Sequence, residues 1–149
     1  MINDNTKVAV LGLGYVGFPL ALEFGKKFKT VGIDKNISKI QNYKNSIDPS
    51  CEVESQYISD VLSLGRISFT HDLSNLKEAD FIIVAVPTPV SKNNTPDLSI
   101  LESAAFDIGN NLSDGTTIIF ESTVYPGATE NICIPIIEQN SKKVWKKDF

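Results

Sequence analysis

Short apolar runs alternate with longer amphipathic segments along the whole chain. The runs predict five strands, at residues 8–11, 30–33, 66–69, 81–86 and 116–120. They are continuous, without the polar alternation of a strand that has one face in water. This pattern is typical of parallel strands that are buried on both faces of a sheet.

Apolar residues between these runs recur at helical spacing. A shorter helix is expected at residues 72–80, and Asp97 is the expected N-cap of the longer helix that begins at Leu98. The alternation of strands and helices predicts an α/β fold, with a doubly wound, mainly parallel sheet that carries helices on both faces. The rows that predict longer helices are Val16, Leu20, Phe24 and Phe28; Val53, Tyr57, Val61 and Leu64; and Leu98, Leu101, Ala105 and Ile108.

Composition narrows the class of protein. The 149 residues are 42% hydrophobic and 21% charged, which fits one globular domain of ordinary size. The net charge of −4 argues against nucleic acid and anionic membranes as partners. The sequence has neither a membrane-spanning run nor a signal-peptide pattern, so we expect a cytoplasmic protein. Cys51 and Cys133 are far apart and lie outside any His-rich cluster, so we expect neither a disulfide framework nor a metal site.

Three glycines stand at G-x-G-x-x-G spacing directly after the first predicted strand. Gly12 would permit a tight turn, Gly14 would leave room for a pyrophosphate, and Gly17 would let the following helix pack closely on the sheet. The positive end of that helix would then face the phosphates. The motif alone is weak evidence, but here a strand precedes it and an amphipathic helix follows. The pattern therefore predicts a Rossmann-type dinucleotide site.

An acidic residue ends the second predicted strand, as the dinucleotide motif requires. Asp34 follows Gly17 by 17 residues and could accept both hydroxyls of the adenosine ribose. Its charge would repel a 2′-phosphate, which favours NAD over NADP, although Lys35 and Lys39 weaken that preference. The alternative is that the glycines serve only the turn and that Asp34 only caps the next helix.

Two more segments should reach the same edge of the sheet, because ligands of such sheets bind beyond the carboxyl ends of the strands. The first is VPTPV, residues 86–90, whose prolines would stiffen a wall against the cofactor. The second is ESTVYPG, residues 121–127, where Ser122 and Thr123 would lie near the nicotinamide. The prolines could equally serve to end a strand, and either hydroxyl could cap a helix or bond its own turn.

Together these segments resemble a known family. GLGYVGFPLA, VPTPV with a downstream PDL, and ESTVYPG are similar to the N-terminal NAD-binding domain of the UDP-glucose/GDP-mannose dehydrogenases. The likeness is strongest to the bacterial enzymes that oxidise UDP-N-acetylhexosamines for capsule or O-antigen synthesis, including the Vi-polysaccharide type. It covers essentially all 149 residues.

The resemblance implies a function and a set of site residues. The family oxidises C6 of a nucleotide sugar, such as UDP-GlcNAc or UDP-GalNAc, to the uronic acid with two NAD. Thr123 would support catalysis by ordering water and the oxyanion at the reacting carbon, and Lys39 would be the basic residue near the cofactor. The positions that would contact NAD are Gly12, Leu13, Gly14, Tyr15, Val16, Gly17, Asp34, Lys39, Val86, Pro87, Thr88, Pro89, Val90, Ser122 and Thr123.

The resemblance also implies that part of the family's machinery lies outside these residues. Neither Cys51 nor Cys133 matches the motif of the catalytic cysteine, and we interpret both as structural. We expect the catalytic Cys, Lys and Asp, the central helix and the sugar-binding domain to belong to a longer parent, which is a homodimer or a higher oligomer. The UDP-sugar would bind mainly there, and this fragment alone would be inactive.

Two other readings remain open at this point. The chain could be the NAD-binding domain of another dehydrogenase, of the 6-phosphogluconate or 3-hydroxyacyl type. It could also be a module that senses a nucleotide without any chemistry. The pair of segments VPTPV and ESTVYPG argues against the first of these.

Overall fold

A five-stranded sheet forms the centre of the molecule. The computed structural model describes residues 3–90 and 96–149. The strands are β1 (Lys7–Leu11), β2 (Lys29–Ile33), β3 (Ile67–Thr70), β4 (Phe81–Val84) and β5 (Thr117–Phe120). They lie in the order β3-β2-β1-β4-β5, and every neighbouring pair is parallel. The predicted fold class is therefore confirmed.

Helices cover both faces of the sheet. They are α1 (Gly17–Gly25), α2 (Ile37–Lys44), α3 (Ser55–Ser63), α4 (Ser99–Asn110) and α5 (Ile134–Ser141), with a 3₁₀ turn at Leu73–Glu78 and a π turn at Thr129–Cys133. Helices α1, α2 and α3 pack in one apolar layer on one face of the sheet, and α4 and α5 pack in a second layer on the other. Strand β1 lies between the layers, with Val8 and Val10 facing the first and Ala9 and Leu11 facing the second.

The π turn has a local cause in the sequence. Pro135 lies in the first turn of α5, directly after the π turn. Its nitrogen has no hydrogen to donate to the preceding turn, and its ring crowds the carbonyl there. A local widening of the helix relieves that crowding. Of the helices in the described ranges, none is both long and apolar enough to cross a membrane.

The face of α1 that packs on the sheet differs from the predicted one. The core side consists of Phe18, Ala21, Leu22 and small glycines, whereas Val16 is 59% exposed. A Cβ on Gly25 would lie 2.8 Å from the Cβ of Ile67, so the helix lies unusually close to the sheet. Small residues permit this approach, and they carry too little hydrophobicity to mark the buried face in the sequence. The predicted row flanks that face, with Leu20, Phe24 and Phe28 only partly buried.

The buried face of α3 also differs, whereas that of α4 agrees. Ile58 and Val61 are the buried residues of α3, and the predicted Leu64 is exposed. In α4, all four residues of the predicted row are buried. Its N-cap position is Leu98 rather than Asp97, but the Asp97 carboxylate accepts a hydrogen bond from the Ser99 N–H at 3.0 Å.

Candidate functional site

A cavity of about 420 Å³ opens at the carboxyl ends of the strands. The chain winds outward from β1 in one direction through β2 and β3, and in the other through β4 and β5, so the direction reverses beside β1. Sheets of this kind bind ligands at that point. The lining residues are Gly12, Leu13, Gly14, Tyr15, Val16, Asp34, Lys39, Ala85, Val86, Pro87, Thr88, Glu121, Ser122 and Thr123.

The three glycines have three distinct environments. Gly12 has φ +93°, and a Cβ there would lie 2.7 Å from the carbonyl oxygen of Ala85. A Cβ on Gly17 would lie 1.8 Å from the carbonyl oxygen of Gly12, so any other residue at position 17 would prevent the start of α1 from packing against the turn. A Cβ on Gly14 would meet nothing within 4 Å, because it would project into the open cavity. The cradle therefore has room for a phosphate where a side chain would otherwise lie.

Asp34 connects the end of β2 to the glycine turn. Its Oδ2 accepts a hydrogen bond from the Leu13 N–H at 3.0 Å, and its Oδ1 accepts one from the Asn36 N–H at 2.9 Å. The N-cap of α2 is Asn36, whose side chain accepts from the Lys39 N–H. Asp34 is thus not the cap that the alternative reading required. Its carboxylate is 16% exposed and borders the cavity.

The two lysines near Asp34 have different partners. The Nζ of Lys39 lies 3.4 Å from Asp34 Oδ2, within the cavity wall. Lys35 turns away to α4, where its Nζ lies 2.9 Å from Asp107 Oδ2 and 2.9 Å from Ser103 Oγ. A smaller cavity of about 140 Å³ lies beside this ion pair, bordered also by Asp34. The cation that follows Asp34 in the sequence is therefore paired with a carboxylate on another helix.

Hydrogen bonds join the two loops that follow β4 and β5. Ser122 Oγ donates to the Val86 carbonyl at 2.7 Å, and Thr88 Oγ1 donates to the Thr123 carbonyl at 2.8 Å. The two loops thus form one wall of the cavity, to which Val86, Pro87 and Thr88 of the segment 86–90 contribute. The Ser122 hydroxyl bonds the backbone of the other loop, so it neither caps a helix nor bonds its own turn.

Three of the expected contact residues do not line the cavity. Gly17 lies beneath the turn, against Gly12. Val90 pairs with Pro96 and is 63% exposed, while the Pro89 carbonyl accepts from the Asp97 N–H at 2.8 Å. The loop has left the cavity edge by this point, since its backbone is bonded to the approach to α4. Sequence reasoning placed these residues correctly in the motif but could not tell which way the loop turns.

Two lining residues were absent from the predicted set. Ala85 follows β4, and its carbonyl packs against Gly12. Glu121 follows β5 and is exposed at the cavity rim. Both lie one residue beyond a strand end, and that position is the signal that could have identified them.

The remaining reactive side chains lie away from the cavity. His71 is exposed in the turn after β3. Cys133 is fully buried, and burial raises the pKa of its thiol to about 11, in agreement with a structural role. Cys51 is a free thiol, exposed in the loop before α3. Across residues 3–90 and 96–149, no group of three or more His, Cys, Asp or Glu could hold a metal ion.

A second cavity, of about 340 Å³, lies at the opposite edge of the sheet. Lys7, Lys29 and Arg66 border it. It lies at the amino ends of β1 and β2, where this class of sheet does not bind its ligand. Neither the glycine turn nor the segments after β4 and β5 reach it.

Comparison with known proteins identifies relatives over the whole chain. Protein CapL of Staphylococcus aureus is 46% identical over 145 residues, which are 97% of this chain and 33% of the relative. The UDP-N-acetyl-D-glucosamine 6-dehydrogenase of Pseudomonas aeruginosa is 46% identical over 143 residues, or 96% of this chain and 33% of that enzyme. The chain thus spans about a third of the length of these relatives.

A solved structure has the same fold. The NDP-N-acetyl-D-galactosaminuronic acid dehydrogenase of Methanosarcina mazei Go1 superimposes with a TM-score of 0.89 at 30% identity, covering 99% of this chain and 34% of that one. The model of the NAD-binding domain of the UDP-glucose/GDP-mannose dehydrogenase family matches residues 6–149. The chain therefore belongs to the UDP-glucose/GDP-mannose dehydrogenase family, as its NAD-binding domain.

Proposed function

We propose that the NAD-binding site of this domain is the cavity beyond β1 and β4, with the pyrophosphate over the turn from Gly12 to Gly17. The observation that carries the proposal is the meeting of the glycine turn, Asp34 and the segments after β4 and β5 around one cavity. The positive end of the α1 dipole favours an anion beside the glycine turn. In the first turn of α1 the Phe18 and Leu20 N–H groups already donate to the Gly14 and Val16 carbonyls, and Pro19 has no N–H, so the donors to the anion would come from the glycine turn itself. The bare face of Gly14 lets that anion approach the backbone.

The adenosine end of the cofactor would lie toward Asp34. A carboxylate accepts hydrogen bonds from two neighbouring ribose hydroxyls, and its charge opposes a 2′-phosphate. Lys39 is already paired with Asp34, and Lys35 is paired with Asp107. Neither lysine is therefore a free cation poised for a 2′-phosphate, which supports NAD over NADP more strongly than the sequence did.

The nicotinamide end would lie between the loops after β4 and β5. NAD held there would supply the acceptor for a hydride from the substrate. The residues of this chain hold it in place, because the hydrogen bonds from Ser122 and Thr88 fix the wall formed by Val86, Pro87 and Thr123. In this arrangement Thr123 has a supporting role at the reacting carbon, whereas Pro89 and Val90 shape the loop without touching the cavity.

We propose further that the parent protein is a nucleotide-sugar 6-dehydrogenase. It would oxidise the C6 alcohol of a UDP-N-acetylhexosamine to the carboxylate, passing two hydrides to two NAD and consuming one water. The Pseudomonas relative is a UDP-N-acetyl-D-glucosamine 6-dehydrogenase, which supports this substrate class, and the name CapL supports a role in capsule synthesis. The sugar would bind mainly to the other two thirds of the parent, which would be a cytoplasmic homo-oligomer.

The full-length parent provides the test. It should form two NADH for each UDP-N-acetylhexosamine consumed, measured at 340 nm across a panel of UDP- and GDP-sugars. The 149-residue chain, tested beside it, should bind NAD without forming NADH. A parent that binds NAD but oxidises none of the sugars would refute the 6-dehydrogenase proposal while leaving the cofactor site intact.

A further inference from the structure

Tyr43 contacts the glycine turn from behind, although it does not line the cavity. Its hydroxyl donates a hydrogen bond to the carbonyl oxygen of Leu13 at 2.9 Å. Tyr43 is 2% exposed and lies on α2, 30 residues along the chain from Leu13. Neither the glycine motif nor the segments after β4 and β5 include it.

An aromatic cluster fixes the position of this hydroxyl. The ring of Tyr43 stacks on that of Phe18 with centroids 3.7 Å apart and planes 10° apart. The ring of Phe69 packs obliquely against both, at 5.6 Å from each. Phe18 belongs to the first turn of α1, so the cluster ties α2 to the helix that starts the cofactor site. The tyrosine ring has little freedom to move its oxygen.

The peptide groups on either side of Leu13 are held from two directions. Its N–H donates to Asp34 Oδ2, its carbonyl accepts from Tyr43, and its side chain is completely buried. The flanking residues are Gly12 and Gly14, and the backbone of glycine has more conformational freedom than that of any other residue type. Without fixed contacts at Leu13, the N–H groups of the turn would sample several directions.

We infer that Tyr43 is a positioning residue for NAD: its hydroxyl fixes the Leu13 carbonyl and so orients the glycine turn before the pyrophosphate arrives. The inference rests on the proposed cofactor site. A turn that is already oriented loses less conformational entropy when NAD binds, so the affinity for NAD is higher. The effect would fall on the pyrophosphate, because the adenosine end is held by Asp34 itself.

The hydroxyl remains a donor over the working range of pH. Burial, aided by the negative charges of Asp48 and Asp34, raises the pKa of Tyr43 to about 12. The neutral phenol therefore persists well above neutral pH, and the hydrogen bond to Leu13 persists with it. A phenylalanine would keep the ring in its stack and remove only the donor.

The test is the dissociation constant of NAD for Tyr43→Phe, measured by titration calorimetry well below the melting temperature. We expect Kd to rise about 3- to 10-fold, the usual effect of losing one such hydrogen bond. ADP-ribose, which keeps the pyrophosphate, should lose the same factor. A control should change Kd by less than twofold: Tyr57→Phe removes a tyrosine hydroxyl that bonds Glu23 on the surface, away from the glycine turn.

The possible results distinguish a failure of this inference from a failure of the proposed cofactor site. A Tyr43→Phe protein that melts at a lower temperature but binds NAD and ADP-ribose as tightly as the wild type would show a structural role only and overturn the inference. Weaker binding of NAD with unchanged ADP-ribose would also overturn it, because the effect would lie at the nicotinamide. A wild-type chain that binds neither ligand would instead refute the proposed cofactor site.

Discussion

The substitution Gly14→Ala separates the fold from the cofactor site. An added Cβ at Gly14 would meet no protein atom within 4 Å, and the backbone there lies outside the left-handed region that only glycine readily adopts. The folded chain should therefore accept the methyl group without strain. The same methyl would project into the cavity where the pyrophosphate is expected to approach the turn.

Opposite effects on stability and on binding follow from this position. Replacing a glycine by alanine without strain stabilises a protein by about 0.4–1 kcal/mol, because the unfolded chain loses freedom. For a chain of this size that corresponds to a rise in melting temperature of roughly 1–4 °C. Displacing the pyrophosphate would break at least one charge-assisted hydrogen bond, worth about 1.5–3 kcal/mol, so NAD affinity should fall about 10- to 150-fold.

The assay pairs a thermal melt with a calorimetric titration of NAD, and Gly17→Ala is the contrasting variant. A Cβ on Gly17 would lie 1.8 Å from the Gly12 carbonyl oxygen, so that protein should lose stability as well as binding. The reasoning would be refuted if Gly14→Ala bound NAD like the wild type, since the anion would then lie elsewhere. It would also be refuted if Gly14→Ala melted as low as Gly17→Ala.

Three further predictions concern charge, acid and thiols. Asp107→Asn should free Lys35 from its ion pair and raise the affinity for NADP relative to NAD about 2- to 5-fold in fluorescence titrations; an unchanged ratio would mean that Lys35 cannot reach the ribose. Burial alone would raise the pKa of the Asp48 carboxylate, but hydrogen bonds from the Ser50 side chain and from backbone N–H groups outweigh it and lower that pKa. The stability that the ionised Asp48 contributes is fully present above the pKa of this carboxyl in the unfolded chain, and it is lost as the pH falls through the pKa in the folded chain. The urea midpoint of the wild type should therefore fall below about pH 4, and that of Asp48→Asn should fall less. Parallel pH profiles of the two proteins would contradict this expectation. In native protein at pH 8 a thiol reagent should modify Cys51 quickly and Cys133 only after denaturation, and fast reaction of both would contradict the burial of Cys133.

The strand pattern and the glycine motif were enough to predict the fold and the meeting of the predicted segments at one edge of the sheet. Continuous apolar runs marked all five strands, because a strand that is buried on both faces carries few polar residues and so stands out from the amphipathic helices. The motif predicted a turn at Gly12 and a close approach at Gly17, and the structure shows both. These features depend on local spacing, which a sequence displays directly.

Features that depend on three-dimensional contacts were not accessible in this way. The buried face of α1 follows from close packing of small residues, so the larger apolar row was misleading there. The pairing of Lys35 with Asp107 joins residues 72 positions apart, and the bond from Tyr43 to Leu13 crosses between two elements. The direction of the loop at Val90 depends on its pairing with Pro96. No spacing rule encodes any of these contacts.

The central claim is that NAD binds at the carboxyl edge of the sheet, and a titration of the 149-residue chain followed by amide NMR spectra tests it most directly. We expect saturable shifts of the amides of Gly12, Gly14, Asp34 and Thr123, and no change in those of Lys29 and Arg66 at the opposite cavity. Shifts confined to the opposite cavity, or no saturable shift at any NAD concentration, would contradict it.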